Sequence, residues 1–128
     1  MKIDNNLKYT SEHLWVNTND QGEYLSGITD YAQDLLGDIV FVEFPEIGAT
    51  IVAGEPCGLV ESVKTGSDLH APLNGVVSEI NTSLQTNPEQ INETPYKTWI
   101  FKFTPNNPED IKSLLDAKTY ETLLGETS

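Results

Sequence analysis

Lys64 is the only cation between Tyr9 and Tyr96, a stretch that carries fourteen Asp and Glu. The chain has seven lysines and no arginine; Lys2 and Lys8 precede this stretch, and Lys97, Lys102, Lys112 and Lys118 follow it. An isolated lysine admits three readings. It is an exposed turn residue in an acidic protein, a nucleophile for Schiff-base chemistry, or an amine presented for acylation by another enzyme. A Schiff-base lysine needs burial or a cationic neighbour to depress its pKa. Neither is visible in "ESVKTGSD" (61 to 68). An acylated lysine needs access to solvent and a fixed position, and those are properties of a hairpin tip. From residue types alone, the exposed turn and the acylated amine both stand.

Other reactive side chains are weaker candidates. His13 and His70 are far apart in sequence and no cysteine pair accompanies them, so no metal is expected. Cys57 is the only cysteine, which excludes an internal disulfide; it lies among small and apolar residues, as a buried inert thiol does. Ser62, His13 and Asp68 would make a triad, but no nucleophile elbow supports it. The carboxylates are dispersed and form no acid–base pair. No catalytic residue is singled out among these groups.

The elements that would position Lys64 are mostly short strands. "HLWVNT" alternates as a half-buried strand, "DQGEY" turns at Gln21-Gly22, and "EYLSGI" completes a hairpin. "TDYAQDLLG" predicts a short helix capped by Thr29, with Asp30 in its first turn and Gly37 as its stop. "DIVFVEF" is the strongest strand, ended by Pro45. A strand from about Cys57 to Val63 meets "KTG", where Gly66 is expected to take a positive φ, and "SDLHAP" leads away. Asn74-Gly75 predicts a turn into a strand over Val76 to Ile80. "TWIFKF" predicts a late strand with Trp99, Phe101 and Phe103 on one face. The stretch from Asn107 to Leu124 predicts a helix with Asn107 as cap, Pro108 at its first position, and an apolar stripe through Ile111, Leu114, Leu115, Tyr120, Leu123 and Leu124.

The 128 residues predict one domain over 1–128, large enough for one modest core. A mean hydropathy of −0.34 and the lack of a long apolar run exclude a membrane-spanning helix. The N-terminal residues lack a signal-peptide apolar core. A cytoplasmic protein of bacterial type is expected, or one of the mitochondrial matrix if a transit segment was removed. The net charge of −13 argues against nucleic acid and anionic membranes as partners and favours basic protein surfaces.

"VESVKTGSD" resembles the lipoyl-attachment motif of the glycine cleavage system H protein family. The likeness extends from about Leu7 to Leu124 through "KYTSEHLWV", "GITDYAQDLLGDIVFVEFPEIG", "GEP", "APLNGVV", "NPEQIN", "PY" and the closing Trp99-x-x-Lys102 with its acidic helical tail, in the family's order. The resemblance implies a mainly β fold, the lipoyl/biotinyl carrier sandwich of two small antiparallel sheets (a barrel-sandwich hybrid) with short peripheral helices and a C-terminal helical segment. It implies lipoate as cofactor, in amide linkage to Lys64, with Glu61, Ser62 and Val63 read by the modifying enzyme. Asp68, with Glu12 behind it, would shelter the loaded arm. The implied function is carriage of the aminomethyl group of glycine. A pyridoxal-phosphate glycine decarboxylase loads the arm, a tetrahydrofolate-dependent aminomethyltransferase unloads it, and an FAD dihydrolipoyl dehydrogenase reoxidises it. A lipoate ligase or lipoyl/octanoyl transferase attaches it. A monomer is expected.

The chain also departs from the family's pattern. Leu14 stands where the family often has Glu, Leu35 where some members have His, and Lys97-Thr98 where glycine is usual. In the family, some of these polar positions line the cleft that shelters the arm. A lipoyl/octanoyl relay to other proteins is the alternative function. A biotinyl domain fits less well, since Val63 and Thr65 flank Lys64 where biotin sites carry methionine.

Overall fold

The computed structural model describes residues 3–18 and 22–127. Its strands, in chain order, are β1 (Lys8–Tyr9), β2 (Leu14–Thr18), β3 (Tyr24–Ile28), β4 (Ile39–Glu43), β5 (Thr50–Ile51), β6 (Pro56–Ser62), β7 (Gly66–His70), β8 (Gly75–Ile80) and β9 (Phe101–Pro105). Helix α1 (Asp30–Leu36) joins β3 to β4, α2 (Gln90–Glu93) precedes β9, and α3 (Ala117–Thr127) follows it. Two 3-10 turns, Thr82–Gln85 and Pro108–Ser113, complete the chain. The strands pair antiparallel throughout, in one sheet of order β1-β2-β3-β9-β8-β5 and another of order β4-β6-β7. Two antiparallel sheets with short helices agree with the expected carrier fold. The tip of the β2–β3 hairpin, with the expected turn at Gln21-Gly22, lies partly outside the described residues.

The main core gathers Leu14, Val16, Val42, Val60, Phe101 and Phe103, among others from both sheets. Phe101 and Phe103 are wholly buried. Each contributes roughly 2–3 kcal/mol by leaving water. A second cluster lies on the other side of β2, where Trp15 meets Leu7, Tyr9, Ala117, Tyr120 and Leu124. The expectation of a half-buried β2 is therefore corrected: Leu14, Trp15 and Val16 are all buried, because α3 covers the face that alternation assigned to water. Trp15 comes so close to its cross-strand partner Gly27 that a Cβ there would fall 2.8 Å from the indole.

The tail is not one helix. Asn107 Oδ1 accepts from Glu109 N at 3.1 Å and Pro108 opens the 3-10 turn, as expected. The chain then extends, and Leu115 pairs with Tyr9 through two 2.8 Å backbone bonds. Asp116 restarts the helix by accepting from Thr119 N at 2.8 Å. Ile111 and Leu114 pack on the main core and Leu115, Tyr120 and Leu124 on the second, so the stripe serves two clusters. Trp99 is likewise separated from Phe101 and Phe103: it precedes β9 and packs with the second cluster, under Lys102 Nζ at 4.8 Å. The Asn74-Gly75 pair makes no positive-φ turn; Gly75 begins β8 opposite Pro105.

Candidate functional site

β6 and β7 form the hairpin that carries Lys64, with Leu59 opposite Asp68, Val60 opposite Ser67 and Glu61 opposite Gly66. Gly66 is therefore a paired strand residue, without the positive φ expected of it. The turn is shaped instead by Ser62. Its Oγ accepts from Lys64 N and Thr65 N, both at 3.1 Å, and donates to Thr65 O at 3.2 Å. Ser62 N donates to the same carbonyl at 2.7 Å. A hydroxyl replaces a backbone acceptor at the tightest point of the loop, as short polar side chains do in turns. Ser62 is buried, while Glu61, Val63 and Lys64 are exposed. Of the three residues assigned to enzyme recognition, Glu61 and Val63 are presented to solvent and Ser62 holds the loop that presents them.

The tip is tied to the rest of the fold at Val63, whose N donates to Asp38 O at 3.0 Å. Beneath Lys64 lies Gly37, at φ 83 and ψ −156, closing α1 with a 3.0 Å bond from its N to Gln33 O. A Cβ on Gly37 would stand 3.0 Å from Lys64 Cε and 3.5 Å from Nζ. The lysine side chain thus lies across the C-terminal end of α1. Among the described residues, its Nζ has no hydrogen-bond or ion-pair partner.

Asn92 of α2, absent from the sequence-derived site, fixes this end of α1. Its Nδ2 donates to Gly37 O at 2.8 Å and Gln33 Oε1 at 2.9 Å, and its Oδ1 accepts from Ile39 N at 2.9 Å. These partners lie more than fifty residues away in sequence. No local signal could have named Asn92.

Beside the hairpin is a cleft of about 110 Å³ between α1, β7 and the segment before β2. Glu12, His13, Leu14, Leu35, Val60 and Asp68 are among its lining residues. The structure thus brings Glu12 and Asp68 to one cleft, with two of the three departures from the family pattern, Leu14 and Leu35, beside them, while Lys97-Thr98 does not line it. Leu14 is buried in the core, whereas Leu35 is exposed. Glu12 Oε2 lies 3.7 Å from His70 Nδ1. His13 takes a φ of 69, and its Nδ1 lies 2.8 Å from the Tyr120 hydroxyl. That hydroxyl also meets Thr29 Oγ1 at 2.8 Å, while Thr29 caps α1 by accepting from Ala32 N at 3.2 Å. Burial holds the His13 pKa below the ordinary imidazole value and pushes the Tyr120 hydroxyl up to about 12.

The triad reading of Ser62, His13 and Asp68 gains nothing. Ser62 Oγ is committed to the turn, His13 Nδ1 faces Tyr120, and Ser62 does not line the cleft. Cys57 packs against the core, and burial pushes its thiol up to about 11. Among the described residues no three His, Cys, Asp or Glu converge to hold a metal.

A presented, positioned amine beside a narrow cleft is the local arrangement, and known proteins share both its sequence and its fold. The family model described as "Glycine cleavage H-protein" matches residues 7–127. Among curated relatives, the glycine cleavage system H protein of Methylobacillus flagellatus is 59% identical over 125 residues, covering 98% of this chain and 100% of its own. That of Geobacillus kaustophilus is 51% identical over 128 residues, covering 98% and 99%. That of Escherichia coli O7:K1 is 49% identical over 119 residues, covering 92% of each. The crystal structure of a glycine cleavage system H protein from Mycobacterium marinum superposes with a TM-score of 0.86 at 39% identity, covering 96% of this chain and 99% of that one. With a family match along almost its whole length, near-full-length relatives and a shared fold, the chain belongs to the glycine cleavage H-protein family.

Proposed function

We propose that the protein is a non-enzymatic lipoyl carrier of the glycine cleavage system, a single carrier domain over 1–128 that works as a monomer in the bacterial-type cytoplasm. Lys64 is its point of attachment. The observation that carries this reading is the Lys64 turn: its backbone is held by Ser62 Oγ, its side chain is backed by Gly37, and its exposed amine has no partner among the described residues. As the free amine, Lys64 Nζ attacks an activated carboxyl. The amide N–C bond forms, the activating group leaves with its electron pair, and the surplus amine proton passes to solvent. A lipoate ligase or a lipoyl/octanoyl transferase performs this step, reading Glu61 and Val63 at the tip.

Once attached at Lys64, lipoate would supply a redox-active dithiolane suited to carrying an aminomethyl group. The partners are glycine decarboxylase, the tetrahydrofolate-dependent aminomethyltransferase and dihydrolipoyl dehydrogenase. An arm of roughly 14 Å from Cα, summed over ordinary bond lengths, keeps the sulfurs within reach of a docked partner. The side chains fit this cofactor. The Lys64 stem already runs across the end of α1, next to the cleft lined by Leu35, Val60, Glu12 and Asp68. Apolar walls suit the arm's methylenes, and the two carboxylates suit the loaded arm's ammonium.

The test is intact mass and peptide mapping after incubation with lipoate, ATP and a lipoate ligase. One lipoyl group on Lys64, and none on Lys64→Ala, is expected. Modification at Lys97 or Lys102 would refute the site, and no modification would refute the carrier reading.

A further inference from the structure

Of the large apolar side chains left in water among the described residues, Leu35, Val52, Val63 and Val76 are dispersed and three lie together. Val40, Phe41 and Ile47 are each about half exposed or more, and all three line an open groove of about 550 Å³ between β4 and the Thr82–Gln85 turn. Leu84 from that turn, Ile80 from β8 and the β4-side residues Val42, Phe44 and Pro45 add to its apolar lining. Among the described residues β4 is an edge strand, paired only with β6. A soluble protein leaves such a patch on an edge strand where something covers it.

Charge selects what covers it. Glu43 and Glu46 line the groove, Glu61 stands opposite Phe41 across the strand pair, and no lysine lines it. A second copy, itself at −13, would bring carboxylates against carboxylates. A partner that places lysine or arginine around apolar side chains matches both features. Position selects which partner. Phe41 pairs with Glu61, three residues before Lys64, and Asp38 bonds the hairpin tip. Strand geometry puts Phe41 on the order of 10 Å from the tip. An unmodified lysine reaches only about 6 Å from its Cα, so the enzyme that acylates it rests directly on the flanking surface. A loaded arm of roughly 14 Å relaxes that requirement for the enzymes that meet it.

We propose that the groove along β4 is the docking surface for the enzyme that acylates Lys64, an enzyme that presents apolar side chains ringed by lysine or arginine. This rests on the reading of Lys64 as the acylated residue.

The experiment compares Phe41→Asp and Ile47→Asp with Val52→Asp, which makes the same charge change at an exposed valine outside the groove. Folding of each variant is checked by thermal melting. The probe is a lipoate ligase with lipoate and ATP, read by intact mass against protein concentration. Phe41→Asp and Ile47→Asp are expected to raise KM about tenfold with kcat within about twofold, as removal of a central contact does. Val52→Asp should leave both unchanged, and added salt should raise the wild-type KM. Unchanged KM in the groove variants overturns the proposal. So does slowed glycine-dependent loading by the decarboxylase with normal acylation, which would assign the groove to that enzyme. Concentration-dependent dimers dissolved by Phe41→Asp would assign it to a second copy. Failure of the wild type to accept lipoate at Lys64 is a separate result and refutes the carrier reading itself.

Discussion

Gly37→Ala perturbs the point where the end of α1, the Asn92 clamp and the Lys64 stem meet. At φ 83 and ψ −156 the backbone sits in a region occupied almost only by glycine. Holding alanine there costs about 1–3 kcal/mol. The new Cβ would also stand 3.0 Å from Lys64 Cε. That neighbour is the stem of an exposed side chain, so it swings aside cheaply, and backbone strain is the larger effect. For a domain of this size 1 kcal/mol moves Tm by roughly 3–5 °C, so Gly37→Ala should lower Tm by roughly 3–15 °C. The assay is thermal melting of wild type, both single variants and Gly37→Ala/Lys64→Ala. Truncating the lysine should restore less than about 0.5 kcal/mol, because the two effects are nearly independent. Lipoylation should slow in Gly37→Ala, since the lysine leaves its track across α1. A Tm within about 1 °C of wild type would refute the strain argument. Full recovery in the double variant would show that the contact, and not the backbone, carries the cost.

Ser62→Ala strips Lys64 N and Thr65 N of their shared acceptor; the expected loss is about 1–2 kcal/mol, with faster amide exchange at those two positions and slower lipoylation. Unchanged exchange would show that the hydroxyl does not hold the turn. The depressed pKa of His13 means that the unfolded chain binds the proton more readily than the folded one. Its contribution to stability is therefore full above about pH 6.5 and is lost as pH falls through the lower folded value. Urea midpoints between about pH 7 and 5 should fall less steeply in His13→Asn, since asparagine tolerates the positive φ at this position. With its thiol at about 11, against an ordinary value of 9.0, Cys57 should be alkylated about a hundredfold more slowly than a free cysteine at pH 8. Equal rates would place the thiol in water.

Much of the site was legible because it is local. The isolation of Lys64 in an acidic stretch, the Thr29 cap and the Gly37 stop are all readable within a few residues. Other features had a local signal that alternation masked. Leu14-Trp15-Val16 is a continuous apolar run, the mark of a strand covered on both faces. Asp116 just before Ala117 is a cap that divides the tail into two helical pieces. Ser62 two residues before Lys64 is a side-chain turn former, a more specific cause for the loop than the glycine after it. What could not be read depends on distant partners. Asn92 reaches Gly37 and Ile39, and Tyr120 reaches His13 and Thr29, across separations of 53 to 107 residues. The gathering of Glu12, Asp68, Leu14 and Leu35 at one cleft likewise follows from sheet packing and not from spacing.

The pairing of Tyr9 with Leu115, and of Tyr120 with His13 across 107 residues, has a consequence for biosynthesis. A ribosome adding about 5–20 residues per second takes about 5–20 s to travel that separation. Throughout that interval Tyr9 and Trp15 have no α3 to cover them, and the growing chain presents a bare aromatic surface. Translation must deliver almost the whole chain before the second cluster can close. Nascent chains stalled before Leu115 should therefore engage chaperones that bind exposed aromatics, and those released after α3 should not.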